Sequence, residues 1–167
     1  MTRIDNRIDF LTKSHWEQVK SIFKEGIESK IATFETEVPS WQEWDRKHLK
    51  GCRLVVINSE EVLGWAALLP VSERKVYAGV AEVSIYVKTQ AQNMGIGKTL
   101  MKSLISESEK NGLWTLQASI FPENQASISL HKSHGFKEVG MREKIGKLFN
   151  EWKDVLLFER RNRKTAL

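Results

Sequence analysis

Val83-Ser84-Ile85-Tyr86-Val87, running through Thr89 and Gln90 into Gln92-Asn93-Met94-Gly95-Ile96-Gly97-Lys98, is the stretch that decides the reading. Its first five residues are β-branched, aromatic or small and read as a strand. After Gly95 the period becomes helical, with Gly97, Leu100, Met101, Leu104 and Ile105 on one face and Asn111-Gly112 closing the helix. Strand, glycine turn, helix is an anion site. Glycines let backbone approach an anion closely, the first N–H groups of a helix have no internal partner, and the helix dipole favours negative charge there. Lys98 adds a cation. A dinucleotide fingerprint does not fit, because G-x-G-x-x-G would need glycine where Leu100 stands and no acidic residue ends the next strand. Nor does a P-loop, although Gly97-Lys98-Thr99 imitates its last residues.

Outward from this stretch the chain reads as alternating strands and helices. On the C-terminal side, residues 114–120 read as a strand, 124–134 as a helix, and 136–144 and 152–159 as two late strands. On the N-terminal side, residues 8–11 form a short strand and Ser14 stands as the cap of a helix, with Gln18 near the capping-box position. Trp16, Val19, Ile22 and Phe23 share a face of that helix, which decays from Gly26; Ser40 caps a second helix from Trp41 to about Leu49. Residues 53–58 and 62–69 make a hairpin about Ser59-Glu60-Glu61, and residues 78–88 a third strand beside it. The order predicts an α/β fold: a mixed, mostly antiparallel, twisted sheet flanked by helices, in one domain over residues 1–167.

Composition narrows the function. The chain has 167 residues, enough for one core, with 41% hydrophobic and 28% charged residues and three prolines. The first ten residues alternate charge with isoleucine, unlike a signal peptide, and the longest nearly apolar run, residues 62–71, is too short to cross a bilayer, so a cytoplasmic protein with no membrane partner is expected. Cys52 is the only cysteine, which excludes an internal disulfide and a cysteine-based metal cluster; it reads as a buried strand residue. The net charge of +5 fits nucleic acid or a small anionic ligand. Lysines and arginines are spread out except at Arg160, Arg161, Arg163 and Lys164, read as a flexible basic tail over residues 160–167, so no nucleic-acid partner is expected.

In this context Gln92-Asn93-Met94-Gly95-Ile96-Gly97 matches the [RQ]-x-x-G-x-[GA] signature and resembles the GNAT acetyltransferases. The resemblance implies acetyl-CoA as co-substrate. Backbone N–H groups from Asn93 to Lys98, with Gln92 ahead of them, would hold its pyrophosphate, and Ile85, Tyr86 and Val87 would pair with its pantetheine arm. Four further segments are similar to the phosphinothricin acetyltransferase branch, which acetylates amino-acid-like amines: Thr33-Phe34-Glu35-Thr36 with Trp41 to Trp44, residues 81–87, residues 124–136, and residues 140–144 with Trp152-Lys153-Asp154-Val155. The branch is usually dimeric through its late strands, so a homodimer is expected.

Acetyl transfer to an amine needs a base, because an ammonium ion must lose a proton before it attacks. Alternation places Glu82, Ser84 and Tyr86 on one face of the strand; read alone, Glu82 is a solvated carboxylate or a base, and the resemblance implies the base. Asn124, Ser127 and His131 share a helix face. Asn124 suits an N-cap, while the resemblance implies CoA contacts for Asn124 and Ser127 and proton donation to the leaving thiolate by His131, for which packing is the alternative. His131 and His134 lack a third ligand of suitable spacing, so no metal is expected, and His134 reads as structural. The resemblance implies an amine pocket lined by Phe34, Glu35, Arg74 and Tyr77, with Arg74 suited to a substrate carboxylate, and an oxyanion site exposed by a bulge in the strand of Ile85 to Val87. Valine at 71 and 80, where relatives often carry tryptophan and threonine, leaves the particular amine open. The competing functions are acetylation of a peptide or polyamine, and CoA binding without turnover.

Overall fold

Alternating residues of the central strands bury opposite faces, and helices cover both sides of that part of the sheet. The computed structural model describes residues 5–164. Its strands are β1 (Asn6–Phe10), β2 (Arg53–Asn58), β3 (Glu61–Pro70), β4 (Val80–Val87), β5 (Thr115–Ile120), β6 (Lys137–Leu148) and β7 (Glu151–Arg161), and its helices α1 (Trp16–Ser29), α2 (Trp41–Lys47), α3 (Ile96–Lys110) and α4 (Gln125–Ser133). The strands form one sheet in the order β1-β2-β3-β4-β5-β7-β6. Only β4 and β5 run parallel, since α3 crosses between them.

Leu54, Val56, Ala66, Leu68 and Ala81 pack with Leu100, Met101 and Leu104 of α3 on one face. Val55, Trp65 and Ala67 pack with Trp16, Val19, Ile22 and Phe23 of α1 and Trp44 of α2 on the other. Cys52 is buried, as expected, and burial pushes its thiol up to about 11. Arg53 is also buried; its guanidinium donates to the carbonyls of Asp45, His48 and Leu49, pairs with the Asp45 carboxylate and lies over the Trp44 ring. These contacts fasten α2 to the sheet.

Several boundaries depart from expectation. A 3-10 turn, Lys13–His15, begins at Thr12, so α1 starts at Trp16 rather than after Ser14. Gln18 does not cap; it bonds the Glu60 carbonyl and the Val62 N–H. Gly26 does not end α1, which runs to Ser29 and closes at left-handed Lys30. Ser40 caps α2 with Glu43 as predicted. The expected basic tail is incorrect for its described part. Arg160 and Arg161 end β7, Arg160 pairs with Glu109 of α3, and the Arg161 side chain donates to the Trp114 carbonyl, so these charges serve packing.

Candidate active site

The sheet comes apart between β4 and β5. They pair only at Val80, Ala81 and Glu82 with Thr115, Leu116 and Gln117, whereas β4 stays paired with β3 from Ala81 to Val87. The expected bulge is absent, because the β3–β4 register is unbroken over those residues. Divergence from β5 exposes the edge instead. Val71 N–H donates to the Val80 carbonyl and Lys88 N–H to the Leu63 carbonyl, so even-numbered residues of β4 turn their peptide groups to β3. The peptide groups of Val83, Ile85 and Val87 therefore face the gap.

A cleft of about 910 Å³ passes through this gap and is lined from both faces of the sheet, by Glu82, Ser84 and Tyr86 on the α1 side and by Val83, Ile85 and Ile96 on the α3 side. At one end lies the glycine turn. Asn93 (φ 62°) and Gly95 (φ 80°) are both left-handed, a backbone arrangement that gathers N–H groups into an anion-sized concavity at the start of α3. A Cβ on Gly95 would meet nothing within 4 Å, so its backbone angle, not crowding, calls for glycine. Gly64 on β3 seats α3: a Cβ there would lie 2.9 Å from the Tyr86 carbonyl and 3.0 Å from Ile96 and Leu100. Gln92, Asn93, Gly95, Ile96, Gly97 and Lys98 all line the cleft. The Met94 side chain does not; it is exposed.

Glu82 stands where the gap opens. Gln117 Nε2 donates to its Oε2 at 2.8 Å and Ser119 Oγ to the same oxygen at 3.4 Å, which orients the carboxylate and leaves Oε1 for a further donor. Neither partner emerged from the sequence, yet the signal was there. Gln117 and Ser119 are the polar positions of a strand whose Leu116, Ala118 and Ile120 are buried, so alternation turns them to Glu82's face.

Helix α4 closes the α3 side. Asn124 caps it by accepting from the Ser127 N–H at 3.2 Å, and Asn124, Ser127 and His131 all line the cleft. His131 is 2% exposed. Its Nδ1–H donates to the Ser127 carbonyl at 2.7 Å, a bond that fixes the proton on Nδ1, and burial holds the ring below its ordinary pKa and so neutral. Nε2 is buried and has no partner among the described residues. His134, read as structural, bonds the Leu130 carbonyl.

On the α1 side the loop after α1 brings Phe34 and Glu35 to the cleft. Phe34 sits edge-on to Phe121, ring centres 4.7 Å apart. Tyr86 stacks on Trp65 and meets Phe23 edge-on; it slides into a notch at Gly26, where a Cβ would lie 2.5 Å from its ring. Burial, chiefly, pushes the Tyr86 phenol up to about 12. Glu25, also missed by the sequence reading, accepts from both the N–H and the hydroxyl of Thr89, tying α1 to the turn that leads into the glycines. Arg74 and Tyr77 do not reach the cleft, contrary to expectation. Arg74 and the 3-10 segment it precedes, Lys75–Tyr77, come before the paired end of β4, away from the gap, and there the Arg74 guanidinium lies over the exposed Tyr77 ring.

Residues 8–157 match the acetyltransferase (GNAT) domain, and the chain belongs to that family. A phosphinothricin N-acetyltransferase of Streptomyces coelicolor is 35% identical over 103 residues, which is 62% of this chain and 60% of that protein. An L-methionine sulfoximine/L-methionine sulfone acetyltransferase of Pseudomonas aeruginosa is 31% identical over 121 residues, 71% of this chain and 70% of that protein. Among solved structures, a ribosomal-protein-alanine N-acetyltransferase from Brucella melitensis superposes with a TM-score of 0.84 at 28% identity, covering 93% of this chain and 99% of that one. A phosphinothricin acetyltransferase from Sinorhizobium meliloti, solved with AcCoA, has a TM-score of 0.83 at 24% identity over 93% of this chain and 88% of that one; at that identity it shows the common fold. Among the described residues no helix is long and apolar enough to cross a membrane.

Proposed function

We propose that this chain transfers acetyl from acetyl-CoA to the primary amine of a small amino-acid-like molecule, by direct attack in a ternary complex. The observation that carries this is the meeting, in one cleft, of an unpaired strand edge, a left-handed glycine turn and a carboxylate with one oxygen free. The Streptomyces coelicolor and Pseudomonas aeruginosa relatives are named for acetylating phosphinothricin and methionine sulfoximine or sulfone, which supports the substrate class.

The residues fit acetyl-CoA. Peptide N–H groups from Asn93 to Lys98 and the Lys98 ammonium would hold the pyrophosphate, Ile85 and Val87 would pair with the pantetheine amides, and Asn124 and Ser127 would bound the arm from α4. The co-substrate supplies an activated acetyl thioester. Glu82 Oε1 takes one proton from the substrate ammonium, the freed nitrogen forms the new C–N bond, and as the C–S bond breaks that nitrogen sheds its second proton to water in the cleft, leaving a neutral amide. A gap-facing N–H of β4 donates to the carbonyl oxygen as it gains charge. The proton that the thiolate gains comes from water at the open cleft. His131 suits this less well than expected, since its only proton is held by the Ser127 carbonyl; we assign it to shaping the wall.

Thiol release from acetyl-CoA, measured against methionine sulfone, methionine sulfoximine, phosphinothricin, ordinary amino acids, polyamines and a peptide, tests the reading. Saturable turnover on the amino-acid analogues supports it, turnover only on peptide or polyamine moves the substrate, and CoA binding without release makes the chain a regulator. We further propose a homodimer through β6 and β7, where Val139, Met141 and Trp152 of the strands and Phe149 of the turn between them are each more than half exposed. Sedimentation velocity on the wild type and on Met141→Glu checks this; a monomer in both would end it.

A further inference from the structure

The acceptor lies on the α1 side of β4, where Glu82 is, and the charges on that side are one-signed. Among the described residues lining the whole cleft, the lysine and arginine complement is Lys98 alone, at the glycine turn, while Glu25, Glu35 and Glu82 contribute three carboxylates. Glu25 is fastened to Thr89 and Glu82 to Gln117. The Glu35 carboxylate has neither an ion pair nor a side-chain hydrogen bond among the described residues. The backbone that carries it is nevertheless fixed. The preceding Phe34 is wedged between Phe121 and Gly146 of β6, where a Cβ would lie 3.0 Å from the Phe34 ring, and the Glu35 N–H donates to Thr33 Oγ1 at 3.0 Å. Arg74, the arginine expected to meet a substrate carboxylate, does not line the cleft.

We infer that Glu35 is a specificity-determining residue: held at the acceptor end of the cleft with no cation beside it, it selects amino-acid-like acceptors whose side chains are neutral or positive and disfavours those carrying a second anion. The inference rests on the proposed function and sharpens it. Methionine sulfone has an uncharged side chain and phosphinothricin a phosphinate anion, so the same α-amino chemistry is presented with and without the extra charge. Glu35 is exposed, and a unit charge acting through water over about 6 Å changes a rate by roughly threefold.

The test is the ratio of kcat/KM for methionine sulfone to that for phosphinothricin, in wild type, Glu35→Gln and Glu35→Arg. The wild-type ratio should exceed one. It should fall about threefold in Glu35→Gln and about tenfold in Glu35→Arg, with KM for acetyl-CoA unchanged, and added salt should compress the wild-type ratio toward that of Glu35→Gln. Turnover on both acceptors with a ratio indifferent to all three side chains overturns the role of Glu35 and leaves the proposed function standing. No turnover on either acceptor by the wild type removes the proposed function, and the inference with it.

Discussion

Glu82 is held through one oxygen and open at the other, and this asymmetry sets what its replacement should do. Glu82→Gln keeps a hydrogen-bonding group of the same shape but removes the proton acceptor, so kcat should fall by about 100-fold or more while KM for acetyl-CoA stays put. Its rate should then rise with pH as the free amine becomes available without a base. Thiol release across pH reads both, and a wild-type kcat would make Glu82 structural. A second residue-scale outcome concerns Gly26. Alanine would favour the helix by about 1 kcal/mol but would collide with the Tyr86 ring, so Gly26→Ala should destabilise the wild type and be neutral or stabilising once Tyr86 is replaced by alanine. Paired denaturation curves give the comparison. At this scale the sequence revealed single residues and not their partners. Glu82 stood out by alternation and resemblance, but Gln117 lies 35 positions away, and Glu25 and Thr89 are 64 apart, so no local pattern joins them.

Among elements, the glycine turn was the most legible and is the most sharply testable. Open space at the Gly95 Cβ means that Gly95→Ala adds no clash; its cost is the left-handed backbone, about 1–2 kcal/mol. If that strain distorts the turn, KM for acetyl-CoA should rise up to tenfold with kcat little changed, as initial rates at varied acetyl-CoA would show; an unchanged KM would displace the pyrophosphate from this turn. Helix α3 and the β2–β3 hairpin lie close to where their periodicity put them, because their signals are local. The misread elements had either a rival cap close by or partners far along the chain. Thr12 begins a turn that Ser14 seemed to own, and four basic residues within five positions looked solvated until Glu109 and the Trp114 carbonyl claimed two of them. The exposed edge of β4 was expected from a bulge, but a bulge and a diverging neighbour leave the same mark on a sequence.

At the scale of the molecule, stability should weaken in mild acid. His48 is buried, stacked on Trp44 with rings 4.1 Å apart, and burial is the chief reason its pKa is lowered to about 4. Between about pH 6.5 and 4 the unfolded chain binds a proton at this residue that the folded chain refuses. The stabilisation is therefore complete above about 6.5 and is lost as pH falls through about 4, on the order of 3 kcal/mol, with buried His131 adding in the same direction. Urea midpoints at pH 7.5 and 4.5 measure this; His48→Gln should flatten the dependence whatever its absolute stability.

The separation of β4 from β5 has a consequence beyond chemistry. A sheet with its middle left open is an unfinished fold, and whatever lies along that edge completes it. Bound at 100 times its dissociation constant, such a ligand adds about 2.7 kcal/mol to stability. The peptide hydrogens of Ile85 and Val87 would then exchange slowly only in the loaded protein, and its resistance to proteolysis would rise with the concentration of that ligand.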